Sequence, residues 1–378
     1  MEPGSEESCG KTPPAVIFVD DETEDHVVAG VTVLDRQMVA FSRAGCSPIA
    51  VVSRRPIPPT KRSRDLGIEP TVVTDAEDLP GPAVVAASNV LLTKDDVRAV
   101  ITHRGRLASR NGELLPMAFT ERVAESLDGM LRQGPRVDTQ GPAQVVGNRE
   151  QARRAGQDLW ASLPTAGDGL VDKYFNRPLG RYLARVLVGT PVTPNQVTLL
   201  ALLVGFIAAG FFAQGLSLYG AVLFQLSALI DCVDGDIARA AFKESRLGKW
   251  LDIAGDQIVH IAIFVAIAFG LKDSGSNAPV LLLGLSAAVG VVLSFAVVSV
   301  PRHTDGQNTL LLKLIDASTN RDFSVFLLLL CLFNRVDLFL WCAAIGVHLF
   351  WVVALVARVV GDAHRTNLQG QKELEAER

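Results

Sequence analysis

Two stretches of the chain place carboxylates at spacings that could serve one cation. The first is Asp231-Cys-Val-Asp234-Gly235-Asp236-Ile-Ala238-Arg239, and the second is Gly248-Lys-Trp-Leu-Asp252-Ile-Ala-Gly-Asp256. Asp231 and Asp234 are three residues apart, and Asp252 and Asp256 four, so on helices each pair projects from one face. Two such faces set against each other bring four carboxylates to one point. No basic residue lies between the members of either pair, so a divalent cation is the natural counter-charge. Oxygen-only ligands suit Mg²⁺, Mn²⁺ or Ca²⁺ rather than zinc. Gly235 and Gly248 would let backbone approach a ligand closely. The blander reading is that these are helix-end aspartates tolerated at an interface; four at facing spacings argue against it. Asp236 points about 200° away from Asp234 on an ideal helix and reads as a surface residue. His260 continues the face of Asp252 and Asp256 and reads either as a substrate contact or as a helix-packing histidine.

The elements that must position these groups are apolar helices. Hydrophobic residues make up 49% of the chain against 20% charged, and the mean hydropathy is +0.29. Apolar runs occupy 197–212, 216–230, 251–271, 280–300, 323–333 and 338–360, so the carboxylates sit where the second run ends and the third begins. At ~1.5 Å per residue the fifth run covers roughly half of a ~30 Å hydrocarbon core and must borrow from 318–334. Six helices place both ends on one side of a membrane. Arg239, Lys243, Arg246 and Lys249 follow the second run, Arg302, Lys313 and Arg321 the fourth, and Arg358 and Arg365 the sixth. The other connections carry little besides Lys272 and Arg335, so the positive-inside rule makes both termini cytoplasmic. Before the first span, 171–187 combines Tyr, Phe and Leu with Lys173, Arg177, Arg181 and Arg185, the pattern of a helix lying among headgroups.

The pattern DxxDGxxAR, eight residues, GxxxDxxxD resembles the signature of the CDP-alcohol phosphatidyltransferase family at every fixed position: Asp231, Asp234, Gly235, Ala238, Arg239, Gly248, Asp252 and Asp256. The resemblance runs from the interfacial helix and Thr193-Pro-Asn195 to about Val360. It implies transfer of a phospho-alcohol from a CDP-linked donor to the hydroxyl of an alcohol or polyol-phosphate acceptor, with release of CMP. By the same resemblance the four aspartates would bind one or two divalent metals, Mg²⁺ or Mn²⁺, with Asp256 also acting as general base. Gly235, Ala238, Arg239 and Gly248 would line the CDP pocket. A homodimer is the family habit. Arg302, His303, Lys313 and Arg321 could hold an acceptor phosphate or simply mark the cytoplasmic side; Arg321, next to a span entrance, is the candidate acceptor contact.

The first half alternates strand-like and helix-like runs. Strands are expected at 15–19, 48–52, 71–74 and 82–92, with helices at 34–43 and 93–101. A mainly parallel α/β sheet is the economical arrangement. A hairpin is expected over 106–120 around Asn111-Gly112, and an amphipathic helix from about 148 to 163. The order resembles nucleotidyltransferase-like domains, in which a Gly-rich loop after the first strand holds the triphosphate. Here 20–29 carries Asp20, Asp21, Glu22, Glu24 and Asp25 with no glycine, and Asn89 stands near the place of an expected metal-binding aspartate. That implies a degenerate, inactive domain. The pairing of the two halves resembles bifunctional inositol-phosphate cytidylyltransferase and di-inositol-phosphate-phosphate synthase proteins, and that bifunctional activity is the alternative.

The expected organisation is a disordered start over 1–14, a soluble nucleotidyltransferase-like α/β domain over 15–165, an interfacial helix over 166–192, an all-α six-helix transmembrane domain over 193–362 and a polar tail over 363–378. The net charge of −4 excludes broad nucleic-acid binding, which needs clustered cations. Cys9, Cys46, Cys232, Cys331 and Cys342 are scattered, odd in number and without CxxC spacing, so neither a disulfide framework nor a zinc site is expected. The acidic, polar N-terminus has no signal-peptide pattern, which points to an integral protein of the cytoplasmic membrane with its site facing the cytoplasm. Two other functional classes fit the sequence less well. A membrane anchor without catalysis would have little need of costly carboxylates, and a transporter would call for inverted repeats and mid-span charges.

Overall fold

The computed structural model describes residues 12–20, 26–57, 61–76, 78–163, 171–272, 279–299 and 323–376. The chain divides into two compact units between Leu163 and Pro164.

The N-terminal unit runs β1 (Ala15–Phe18), β2 (Val27–Val28), β3 (Val31–Thr32), α1 (Val33–Ala44), β4 (Ile49–Val52), α2 (Lys61–Asp65), β5 (Thr71–Val73), β6 (Ala83–Ala87), β7 (Val90–Leu91), α3 (Lys94–His103), β8 (Arg106–Ala108), β9 (Leu114–Thr120), α4 (Leu127–Met130), β10 (Arg136–Asp138), β11 (Gln144–Val145) and α5 (Arg149–Ser162). Seven strands form one mixed sheet in the order β10-β8-β9-β6-β1-β4-β5. β5, β4, β1 and β6 are parallel, as the βαβ reading expects, and β9 enters antiparallel to both β6 and β8. The β8–β9 hairpin turns through Asn111-Gly112, where Gly112 takes a φ of 87° that other residues rarely adopt. Alternate residues of β1, β4 and β6 point to opposite faces: Ile17, Val51, Val84 and Ala86 pack with Phe41, Met38 and Val97, while Val16, Ala50 and Val85 pack with Val123 and Met130. Cys46 belongs to the first of these clusters, and burial pushes its thiol up to about 11.

Helix ends follow the sequence signals. Thr32 caps α1 through Asp35 N–H, and Gly45 ends it in the left-handed region. Thr93 and Asp96 form a capping box at α3, and the fully buried Asp96 also accepts from Thr139 Oγ1 and Gln140 N–H at 2.7 Å each. Asn148 caps α5. Two expectations need correction. The single strand over 82–92 is two, because the chain turns at Ser88-Asn89; β6 stays in the main sheet and β7 pairs with β11. The acidic loop over 20–29 ends in β2, paired with β3 across a tight turn at Ala29-Gly30; residues 21–25 of that loop lie outside the described residues. Buried Gln37 donates through Nε2 to Ala87 O (2.6 Å) and Val90 O (2.7 Å), tying α1 to the turn between β6 and β7.

The C-terminal unit is helical. A π-helical turn (Asp172–Asn176) runs into α6 (Arg177–Leu187), followed by α7 (Pro194–Ala213), α8 (Ser217–Ala240), α9 (Arg246–Leu271), α10 (Val280–Ser299), α11 (Phe323–Leu332) and α12 (Val336–Ala376). Its core joins Phe212, Phe224, Ile263, Phe264, Ile267, Leu283, Leu327 and Leu340. Leu203, Phe206, Leu282, Leu285, Ile345 and Leu349 are exposed on the outside, an apolar exterior suited to lipid rather than water. Among the described residues, four helices are long and apolar enough to cross a membrane: Pro194–Ala213, Arg246–Leu271, Val280–Ser299 and Val336–Val356. Six spans were expected, and these four are the ones that length and composition support among the described residues. α8 is long enough but ends in Asp231, Asp234, Asp236 and Arg239, and α11 has only ten residues.

Candidate active site

The carboxylates are assembled where α7, α8 and α9 meet. α7 begins at Pro194 with Thr193 and Gln196 in a capping box, and α9 begins behind Ser245, whose hydroxyl accepts from Gly248 N–H at 2.9 Å. A Cβ on Gly248 would lie 2.7 Å from Asn195 Oδ1 and 2.9 Å from Ser245 Oγ, so the start of α9 passes close to that of α7 at this glycine. Lower down, a Cβ on Gly255 would lie 2.6 Å from Leu202 Cδ2, so α9 packs closely on α7 there. Ser227 Oγ donates to Ala201 O at 2.7 Å, holding α8 to α7.

One oxygen each from Asp231, Asp252 and Asp256 lie within 4.8 Å of one another, and all three residues are half-buried. The separation and the all-oxygen donor set fit a hard divalent cation. Asp234, the fourth expected ligand, is not a member of that trio; it is buried, and Thr198 Oγ1 donates to its Oδ2 in a short hydrogen bond. Thr198 escaped sequence reasoning, although it lies one helical turn past Pro194 and its i+4 spacing was the available signal.

Asp236 corrects the surface assignment. It is fully buried, and its Oδ1 accepts from Arg239 Nη2 (2.7 Å) and Arg177 Nη1 (2.9 Å), while Arg181 Nε lies 3.6 Å from Oδ2. The helical wheel correctly turned Asp236 away from Asp234, but α6 covers that side. Arg177 and Arg181 accordingly face α8 rather than lipid headgroups. The buried face of this segment is Asp172, Asn176, Gly180, Ala184 and Val188 at four-residue spacing, whereas Tyr174, Phe175, Leu179, Tyr182, Leu183 and Val186 are exposed. Asn176 Nδ2 donates to Asp172 Oδ1 and Gln225 Nε2 to Asn176 Oδ1 at 2.7 Å each, and Ser324 Oγ donates to Gln225 Oε1 at 2.8 Å. This buried relay joins the π turn, α8 and α11.

Of the expected CDP-pocket residues, Gly235, Ala238, Arg239 and Gly248 are all half-buried, with Arg239 folded back over Gly235. His260, one turn beyond Asp256, packs edge-on against Phe323 at 4.9 Å and Phe224 at 6.1 Å. That contact fits its helix-packing reading. Arg302, His303, Lys313 and Arg321 lie outside the described residues.

Residues 191–356 match the family model described as CDP-alcohol phosphatidyltransferase. The chain is 34% identical over 130 residues to a protein of Aquifex aeolicus named bifunctional IPC transferase and DIPP synthase, covering 34% of this chain and 29% of that one. A protein of the same name from Thermococcus kodakarensis is 33% identical over 150 residues, covering 39% and 34%. A phosphatidylinositol phosphate synthase of Streptomyces avermitilis is 34% identical over 123 residues, covering 31% of this chain and 50% of that protein. The matched stretches thus span about a third of the two bifunctional relatives and half of the synthase.

Proposed function

We propose that the protein is an integral-membrane phosphotransferase that moves a phospho-alcohol from a CDP-linked donor to an alcohol or polyol-phosphate acceptor and releases CMP. The observation that carries this reading is the convergence of Asp231, Asp252 and Asp256 from two helices inside the segment that matches the CDP-alcohol phosphatidyltransferase family model. These three, with Asp234 beside them, would hold Mg²⁺ or Mn²⁺. When bound, the metal supplies the positive charge that neutralises the donor diphosphate as charge develops on the bridging oxygen. Asp256 accepts the proton of the attacking hydroxyl, a role open to a carboxylate not fully committed as a ligand. Gly235, Ala238, Arg239 and Gly248 bind the cytidine diphosphate, with Arg239 contributing charge-assisted hydrogen bonds. Arg321 is the proposed acceptor contact. In this reading α8 and α11 complete six spans, the exposed aromatic face of α6 rests in the lipid interface, and the site opens to the cytoplasm. The working form is a homodimer.

The N-terminal unit is read as nucleotidyltransferase-like and inactive, because five carboxylates would repel a triphosphate where glycine N–H groups are needed. The names of the first two relatives favour the alternative of two activities in one chain. The deciding experiment offers CDP-diacylglycerol or CDP-inositol to the purified full-length protein with a panel of alcohol and polyol-phosphate acceptors. Acceptor-dependent CMP release supports the reading, and its absence with every pair removes it.

A further inference from the structure

We propose that Asp236, which is not a fixed position of the DxxDGxxAR pattern, is a positioning residue that sets Arg239 for the CDP-linked donor and clamps α6 to the same point of α8. The proposal rests on the functional reading above. Asp236 is fully buried, yet it is a carboxylate surrounded by guanidinium groups from two helices. A group so costly to bury persists when its partners fix a geometry. Here the geometry is that of Arg239. Its guanidinium folds back over Gly235, where a Cβ would lie 3.1 Å from Nη1 and 3.3 Å from Nη2, and Asp236 Oδ1 takes Nη2 at 2.7 Å. Gly235 supplies the space and Asp236 the charged acceptor, so a long side chain with many rotamers is held in one.

Asp236 lies on the opposite side of α8 from Asp234 and so acts through arginine rather than on a cation. The same Oδ1 takes Arg177 Nη1 at 2.9 Å, and Arg181 approaches Oδ2, so the seat of α6 and the setting of Arg239 share one carboxylate. α8 then divides its carboxylates between two tasks, with Asp231 and Asp234 toward the metal site and Asp236 toward the arginines.

The test measures binding of CDP in the presence of Mn²⁺ to the purified full-length protein by calorimetry, together with thermal unfolding. Asp236→Asn is expected to weaken CDP binding by about tenfold or more, the scale of a lost charge-assisted hydrogen bond. In an Arg239→Gln background the same change should cost nothing further, because the effect travels through Arg239. Unchanged CDP affinity with lowered thermal stability, or effects of the two substitutions that multiply, would overturn the assignment. Should Asp236→Asn fail to fold, Asp236→Glu keeps the charge and moves the carboxylate by one methylene. It should fold and still bind CDP more weakly; wild-type affinity in that variant would contradict the proposal. A wild-type protein that binds no CDP with Mn²⁺ would remove the underlying functional reading, and the proposal with it.

Discussion

Asp256 and Asp231 share one oxygen cluster, but their proposed roles separate on substitution. Asp256→Asn should leave donor binding largely intact and slow CMP release by ~10²–10⁴-fold, the range of a lost general base. Asp231→Asn should weaken metal and donor binding together. Steady-state rates with metal and donor titrations for both variants check this, and equal loss of donor affinity would make Asp256 a ligand instead of a base. The carboxylate pairs were legible at this scale because i,i+3 and i,i+4 spacing fixes a common face. Asp236 was not, since a helical wheel gives a side chain's direction and says nothing of what covers it. Its partners Arg177 and Arg181 come from about 55–60 residues away, and their four-residue spacing suits a headgroup layer as well as a buried carboxylate.

The elements themselves rest on caps and close approaches that can be tested singly. Thr93 accepts from Asp96 N–H and its hydroxyl bonds Asp96 Oδ2 at 2.6 Å, so Thr93→Ala should lower the stability of the N-terminal unit by about 1 kcal/mol in denaturant unfolding. In the membrane half, a Cβ on Gly284 would lie 2.5 Å from Ala268 Cβ and 2.9 Å from Phe264 O, where α10 crosses α9. Gly284→Ala should therefore cost about 1–3 kcal/mol as overpacking, read as a lower unfolding temperature in detergent. The starts of α3 and α5 could be read from Thr93 and Asn148 because capping is local chemistry. The β2–β3 hairpin could not, as two-residue strands carry no periodicity to detect. The break between β6 and β7 was hidden for a related reason: Ser88 and Asn89 interrupt an apolar run that is hydrophobic on both sides.

At the scale of the whole molecule the two units carry separate expectations. Full-length Asp231→Asn protein, silenced in the membrane half, should form no pyrophosphate from CTP and a polyol phosphate. Pyrophosphate above a no-enzyme control would show that the N-terminal unit is a working nucleotidyltransferase. The membrane half was legible in outline from composition, since charge-poor runs announce apolar helices, while the standing of α8 and α11 as spans depends on what surrounds them. The proposed function requires that the aspartates of α8 and α9 act by holding a divalent cation. Its most direct test is CMP release by the full-length protein from a CDP-linked donor and acceptor in excess EDTA, with Mg²⁺ or Mn²⁺ then restored. Release should vanish in the chelator and return with the metal, and turnover that persists in excess EDTA would contradict it.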